Sequence, residues 1–176
     1  MNGGGMYEGK NRLYEILGVW KKRISHKRKI EADILIAHSL GCNWALRAWE
    51  KNKHLTLILI NPLLPKRKIF TWFLRWKKFQ REEVRPKTKE VIGGFRNKLF
   101  GFKTCWDLLR YDFDKIISQI PREKLTIIHG EKDIFYCDEI FKKYIREKNI
   151  ISKEIKNAWH DWRKEFDQAI EEIISE

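Results

Sequence analysis

The stretch Asp33-Ile-Leu-Ile-Ala-His-Ser-Leu-Gly-Cys-Asn-Trp-Ala-Leu-Arg-Ala-Trp49 runs from a short apolar strand through a tight turn into a helix. Ser39 lies at the corner, and the small residues Ala37 and Gly41 let the backbone fold back on either side of it. Such a turn lifts the serine hydroxyl above the sheet edge. It also brings the Leu40 amide to a helix N-terminus, where it can stabilise a developing oxyanion. The pattern is typical of an acyl-transfer nucleophile.

The composition predicts one folded domain of ordinary size. The chain has 176 residues, of which 43% are hydrophobic and 13% aromatic, which is enough to bury a core. No apolar run reaches the roughly 18 residues of a membrane-spanning helix. The glycine-rich start also lacks the basic-then-apolar order of a secretion signal, so we expect a cytoplasmic protein. Cys42, Cys105 and Cys137 are few and far apart, which favours reduced thiols over a disulfide framework or a zinc knuckle.

The chain is strongly basic, with 37 Lys+Arg against 24 Asp+Glu and a net charge of +13. The basic residues cluster at Lys21-Lys22-Arg23, His26-Lys27-Arg28-Lys29, Lys66-Arg67-Lys68 and Arg75-Trp76-Lys77-Lys78. Such clusters attract anions, which include nucleic acid, anionic lipid and acidic proteins. A solvated surface shaped by compositional bias or adaptation to heat is the simpler interpretation, and we favour it. The sequence contains no nucleic-acid-binding motif, so nucleic acid is not an expected partner.

Apolar runs alternate with helix-length segments on both sides of a long insertion. Because the runs read as strands buried on both faces, joined by helical crossovers, they predict an α/β fold with a mainly parallel sheet flanked by helices. The insertion, residues 66–119, is basic and aromatic, with helical patches at 69–80 and 106–117. The other predicted elements are helices over 11–23, 41–51, 137–146 and 162–174 and strands over 33–37, 55–60, 125–128 and 151–156.

Three polar residues follow predicted strands, at the edge where parallel sheets bind ligands. Ser39 is the candidate nucleophile, His160 the candidate general base and Asp133 the acid that would orient it. Each residue also has a structural interpretation. Ser39 would cap the following helix, Asp133 would belong to a turn with Asp138 as the nearest substitute acid, and His160 would pack between tryptophans.

The remaining histidines fit a catalytic role less well. His38 directly precedes Ser39 and should point away from it, whereas His26 and His54 lie in basic or interstrand loops. His129 ends a strand and could line the site. The histidines and cysteines show no metal-ligand spacing, and no Gly-x-x-x-x-Gly-Lys-Ser/Thr phosphate loop is present. We therefore predict neither a catalytic metal nor a cofactor.

The order Ser39, Asp133, His160, each after a strand, resembles that of the α/β-hydrolase family over residues 31–176. The motifs that carry the resemblance are Ala-His-Ser-Leu-Gly at the nucleophile turn, Asn61-Pro62 after the next strand, His-Gly-Glu-Lys-Asp around the acid and Trp-His-Asp at the base. The resemblance implies a single minimal α/β-hydrolase domain over 1–176. It also implies that residues 66–119 form a helical cap over the substrate pocket.

The N-terminal part departs from the family pattern. The glycines at the start resemble the oxyanion loop of that family, which implies that Gly4 and Gly5 join Leu40 as backbone donors, with a helix over 11–23 behind them. A flexible terminus is the simpler interpretation of these glycines. The strand that should lead into this loop is not evident, so in the family's strand order the nucleophile strand would form a sheet edge, although its Ile-Leu-Ile pattern is typical of a central strand. Either an N-terminal extension has been lost from this reading frame, which is the interpretation we favour, or a partner chain covers the edge in a homodimer.

The sequence thus favours a serine hydrolase that cleaves a carboxylic ester or related acyl bond through an acyl-enzyme. The aromatic and basic side chains of the predicted cap suit a small acyl substrate with an anionic part; among them are Phe70, Trp72, Phe73, Arg75, Trp76, Lys77, Lys78 and Phe79. Packing of the cap onto the core is the simpler interpretation of the aromatic residues. The alternative is an inactive hydrolase-like domain that binds nucleic acid or an anionic membrane surface peripherally. A truncated, weakly folded remnant is the third interpretation.

Overall fold

The computed structural model describes residues 6–9, 12–17, 32–65, 111–133, 137–160 and 162–175. The chain divides into two compact units, one formed by Met1–Pro65 with Phe113–Glu176 and the other by Lys66–Asp112. Most of the second unit, including the helical patch predicted at 69–80, lies outside the described residues. The role of residues 66–119 as a cap therefore stays a prediction. Within the described ranges, no helix is both long enough and apolar enough to cross a bilayer.

The described part of the first unit contains six strands and four α-helices, with a short 3-10 turn at Arg122–Lys124. The strands are β1 (Met6–Gly9), β2 (Arg12–Leu17), β3 (Ile34–His38), β4 (Thr56–Ile60), β5 (Leu125–Gly130) and β6 (Ile151–Ile155). The helices are α1 (Leu40–Lys51), α2 (Phe113–Ile117), α3 (Glu139–Glu147) and α4 (Lys164–Ser175).

The strands form one sheet in the order β1-β2-β3-β4-β5-β6. Strands β2 to β6 pair in parallel, and β1 pairs antiparallel with β2. The predicted α/β fold with a mainly parallel sheet is confirmed.

Two predictions about the N-terminal part are wrong. Residues 12–17, which fall inside the helix predicted over 11–23, form β2. This strand pairs in parallel with β3, and Leu17 lies in register with Ala37. The nucleophile strand is therefore internal, with β2 on one side and β4 on the other, and the strand thought to be missing is present. The suggested homodimer through an uncovered edge at β3 loses its basis.

The core lies on both faces of the central strands, which explains why β3, β4 and β5 read as unbroken apolar runs. On one face, α4 packs through Phe166, Ala169 and Ile170, whose spacing places them along one side of the helix. The strand residues that join this cluster are Ile34, Ile36, Ile58, Ile60, Ile128 and Ile155. On the other face, α1 packs against β3 and β4. This double cover fixes the carboxyl ends of the strands, where the predicted site residues lie.

Candidate active site

Ser39 occupies a sharp turn between β3 and α1. Its backbone has φ 57° and ψ −125°, a region that non-glycine residues rarely adopt and that costs about 1–3 kcal/mol. The Ser39 N–H donates to the Ile60 carbonyl at 2.9 Å, which ties the turn to the end of β4. Its side chain makes no capping hydrogen bond to α1, so the interpretation of Ser39 as a simple helix cap is not supported. The hydroxyl instead contacts His160.

Ser39, His160 and Asp133 form one connected row of hydrogen bonds. The Nε2 atom of His160 lies 2.9 Å from Ser39 Oγ, and its Nδ1 atom lies 2.7 Å from Asp133 Oδ2. All three residues are buried, with 4%, 6% and 0% of their surfaces exposed, respectively. Because a carboxylate can only accept, Nδ1 carries the proton donated to Asp133. In the neutral ring, Nε2 is then left as an acceptor for the serine hydroxyl.

The turn after β5 holds the Asp133 carboxylate in place. The Asp133 N–H donates to the Gly130 carbonyl at 3.2 Å, and the Asp133 carbonyl accepts from the Cys137 N–H at 2.8 Å. Asp138, the substitute acid considered from sequence, has another role. Its Oδ1 accepts from the Phe141 N–H at 3.1 Å and caps α3.

His160 lies on an irregular segment between β6 and α4, and this segment packs tightly on the end of β5. A Cβ atom at Gly130 would lie 2.5 Å from the Ala158 carbonyl oxygen and 2.8 Å from the Trp159 carbonyl oxygen, closer than side-chain atoms can approach backbone. The Lys132 N–H also donates to the Ala158 carbonyl at 2.9 Å. Gly130 therefore permits the close contact that brings His160 to Ser39.

Asn61 is a site residue to which sequence reasoning gave no role. It follows β4, is fully buried and has φ 46°. Its Nδ2 donates to the His160 carbonyl at 3.0 Å and the Trp159 carbonyl at 3.3 Å, while its Oδ1 accepts from the Gly130 N–H at 2.8 Å. The only advance signal was the Asn-Pro pair directly after a buried strand.

His38 and His129 lie near these residues. His38 Nε2 donates to the His160 carbonyl at 2.7 Å, so His38 contacts the backbone of the candidate base rather than the serine. His129 is buried, stacks edge-on against Phe141, and has its Nδ1 3.8 Å from Glu154 Oε2. Burial lowers the pKa of His129 below its usual 6.5, although the charge of Glu154 opposes the shift.

Two buried thiols flank the site. Cys42 donates to the carbonyls of Ala37 and Ile60, and Cys137 lies 3.8 Å from Asp133 Oδ2. Burial raises the pKa of both thiols, so neither is a thiolate at neutral pH. Among the described residues, no group of three or more His, Cys, Asp or Glu side chains is arranged to hold a metal ion.

Of the three predicted oxyanion donors, the structure describes only Leu40. Leu40 is the first residue of α1, and the first N–H groups of a helix have no partner within it. Gly4 and Gly5 lie outside the described residues, so their role stays a prediction. They precede β1, which β2 separates from β3, whereas the end of β2 pairs directly with Ala37, two residues before Ser39.

Comparisons with known proteins identify solved structures with a similar fold. No family model matches the sequence, and neither does any curated protein. One similar solved structure is MGS-M2, an α/β hydrolase from a Medee basin deep-sea metagenome, with a TM-score of 0.52 and 17% identity. A second is MGS-MChE2, an α/β hydrolase from the metagenome of lagoon sediments at Mar Chica, Morocco, with a TM-score of 0.51 and 18% identity. Each match covers 81% of this chain. The matched part corresponds to 65% of the length of MGS-M2 and to 60% of the length of MGS-MChE2.

The chain has the α/β-hydrolase fold. The order of the parallel strands and the position of Ser39 after an internal strand agree with the resemblance found in the sequence. At this identity the likeness concerns the fold alone, so the chemistry has to be argued from the site.

Proposed function

We propose that this protein is a serine hydrolase that cleaves a carboxylic ester or related acyl bond through an acyl-enzyme. The observation that carries the proposal is the unbroken row from Ser39 Oγ through the His160 ring to Asp133 Oδ2, with distances of 2.9 and 2.7 Å. A serine in a strained turn, hydrogen-bonded to a histidine that a buried carboxylate orients, is the arrangement that nucleophilic catalysis needs. A purely structural serine would not need that backbone strain.

The geometry supports a two-step reaction. Ser39 Oγ attacks the acyl carbon while His160 Nε2 takes the hydroxyl proton, and Asp133 stabilises the imidazolium that forms. When the tetrahedral intermediate collapses, the bond to the leaving group breaks and His160 returns the proton to that group. A water molecule then attacks the acyl-enzyme with its proton going to His160, and Ser39 is regenerated as the acid product leaves.

The negative oxygen of the tetrahedral intermediate needs backbone donors. The Leu40 N–H, at the start of α1, is the first of them. For the second we propose Gly4 or Gly5, as the sequence resemblance implies. They directly precede β1, whose first residue, Met6, pairs with Glu15 near the carboxyl end of β2. One of the variants Gly4→Pro and Gly5→Pro, each of which removes one N–H group, should therefore slow serine labelling by about 10²- to 10³-fold.

The composition of the predicted cap supports one class of substrate. The basic and aromatic segment 66–112 supplies 14 Lys+Arg against 5 Asp+Glu, which would attract an anionic part of a substrate. We therefore propose a small acyl compound with an anionic group, with residues 66–119 acting as the cap.

The decisive experiment is labelling with a fluorophosphonate, which phosphonylates activated serines. Wild-type protein should be labelled, whereas Ser39→Ala should not be labelled at all and His160→Ala should be labelled far more slowly. Ser175→Ala is the matched control, because Ser175 is an exposed serine at the end of α4 whose Oγ donates to the Glu171 carbonyl, outside the predicted cap. It should react like wild type.

Absence of labelling in folded wild-type protein would contradict the proposal. The binding interpretation would then take its place, and steeply salt-dependent binding to anionic vesicles without serine reactivity would support it. Labelling that persists in Ser39→Ala would mean that another residue is the nucleophile.

A further inference from the structure

Asn61 lies at the centre of the carboxyl edge of the sheet, between the strands that carry Ser39 and Asp133. It directly follows β4, which pairs with β3 on one side and β5 on the other. Its N–H donates to the Ile128 carbonyl at 2.9 Å, so its backbone is fixed to β5. Its positive φ is a conformation that asparagine tolerates better than most residues with a side chain.

From this position the Asn61 side chain joins β5 to the segment that carries His160. One end accepts from the Gly130 N–H, and the other donates to the carbonyls of Trp159 and His160, 98 and 99 residues further along the chain. The bonds to the Gly130 N–H and the His160 carbonyl are shielded from water, since Asn61, Gly130 and His160 are buried, whereas Trp159 is half-buried. Loss of the side-chain amide would leave the buried His160 carbonyl without this donor.

The His160 segment has little other regular structure to hold it. Residues 156–160 lie between β6 and α4 and belong to neither. The ring of His160 must nevertheless meet two partners at once, Ser39 Oγ and Asp133 Oδ2, and a displacement of about 1 Å can cost on the order of 10²-fold in rate. His38 donates to the same His160 carbonyl, which shows that the backbone of the base, as well as its ring, is held by hydrogen bonds.

We infer that Asn61 is a positioning residue that fixes the backbone of His160 through its side-chain amide, and thereby sets the contact between His160 and Ser39. The inference rests on the proposed function in that Ser39 is the group that His160 activates. Asn61 touches no reacting atom. The part of its effect that concerns the reaction passes through His160, and the His160→Ala background separates this part from the bonds that Asn61 also makes to Gly130 and Trp159.

Asn61→Gly tests the inference, because glycine keeps the positive φ without strain and removes only the side chain. We expect the rate of fluorophosphonate labelling to fall by about 10- to 100-fold per folded molecule. Asn61→Asp is the second variant. It keeps the shape of the side chain and the acceptor for Gly130 but loses the amide hydrogens, so a comparable loss is expected. Asn149→Gly is the matched control: Asn149 is exposed, has φ 52° and lies after α3, and its replacement should leave the rate unchanged.

The His160→Ala background distinguishes positioning from folding. If Asn61 acts through His160, then adding Asn61→Gly to His160→Ala should cause no further loss of labelling, because the group it positions is absent. Multiplicative losses would overturn the inference. An Asn61→Gly rate equal to wild type in folded protein would also overturn it, and would leave the proposed serine hydrolase intact.

A spectroscopic measurement tests the same inference without any reaction. The His160 Nδ1 proton, shared with Asp133 at 2.7 Å, should give a proton resonance downfield of the backbone amides in wild type and in Asn149→Gly. That resonance should be shifted or lost in folded Asn61→Gly and Asn61→Asp. If it stays in place in both variants, the inference is wrong whether or not the wild-type protein labels. An unlabelled wild type would by contrast contradict the proposed function alone.

Discussion

Ser39 and Asn61, at the ends of neighbouring strands, both have a positive φ, which residues with side chains seldom adopt. Both have positive φ, at 57° and 46°, and both are buried. Strain of this kind persists only where the surroundings hold the residue in place. Here the Ser39 N–H bonds to the end of β4, and the Asn61 N–H bonds to β5. The sheet thus stabilises two unfavourable turns. One positions the nucleophile Ser39, and the other positions the Asn61 amide that donates to the His160 carbonyl.

At the same scale, His129 predicts how stability depends on pH. Burial lowers its pKa below 6.5, with Glu154 and Asp133 opposing the shift and Lys142 adding to it. Below pH 6.5 the unfolded chain therefore binds a proton that the folded protein resists, and the free energy of unfolding falls as the pH falls. The slope from this one group can reach about 1.4 kcal/mol per pH unit.

His129→Leu should remove that part of the slope. Urea unfolding of wild type and variant at several pH values above and below 6.5 measures it, and wild type should lose more stability toward acid than the variant. His54→Leu replaces an exposed histidine and serves as the control, which should follow wild type. Parallel curves for wild type and His129→Leu would contradict this assignment.

Among the secondary-structure elements, those determined by neighbouring residues could be predicted from the sequence, whereas those determined by distant partners could not. The turn at Ser39 could be read from an apolar run followed by a small residue, serine and glycine, because those residues directly determine the turn. Strand β2 could not, since Leu13, Ile16, Leu17 and Trp20 also fit a helical repeat. The pairing of residues 12–17 with β3 makes them a strand, and that partner lies some twenty residues away. The roles of Asn61 and Gly130 depend on a segment about 98 and 28 residues distant, which no local pattern encodes.

Two aspartates between β5 and α3 have different roles. Asp133 bonds to the His160 ring from the turn after β5, whereas Asp138 caps the helix through the Phe141 N–H. Asp138→Asn should therefore change stability by less than about 1 kcal/mol and leave labelling intact. Asp133→Asn should slow labelling on the order of 10⁴-fold, because an amide can hold His160 in the wrong tautomer.

Labelling rates and thermal unfolding of the two variants form a matched pair, with one carboxylate converted to an amide in each. A large loss of labelling in Asp138→Asn, with Asp133→Asn little affected, would reverse the assignment of the orienting acid.

At the scale of the whole molecule, the charge is divided unevenly between segments. Residues 66–112 carry a net +9, from 14 basic and 5 acidic side chains, and residues 21–31 carry a net +5, from 6 basic and 1 acidic. The remaining residues together are close to neutral, with a net charge of −1. The described part of the first unit, which contains Ser39, Asp133 and His160, thus contributes little to the overall charge of +13. Any attraction of the protein to anions should depend more on the unit Lys66–Asp112 than on the sheet of the first unit.

This division predicts that binding to an anionic surface and serine reactivity can be separated. Any binding to vesicles that contain anionic lipid should weaken as salt is raised toward about 1 M, where the Debye length falls to about 3 Å. Replacing Lys66, Arg67 and Lys68 with glutamine should weaken binding by up to about 1 kcal/mol per charge without slowing fluorophosphonate labelling.

The control replaces three exposed lysines of the other unit, Lys143, Lys156 and Lys164, with glutamine. Vesicle sedimentation should show a smaller effect for the control, because the net charge is the same but its location differs. Equal losses in both triple variants would mean that total charge alone governs binding, and salt-independent binding would mean that the attraction is not electrostatic.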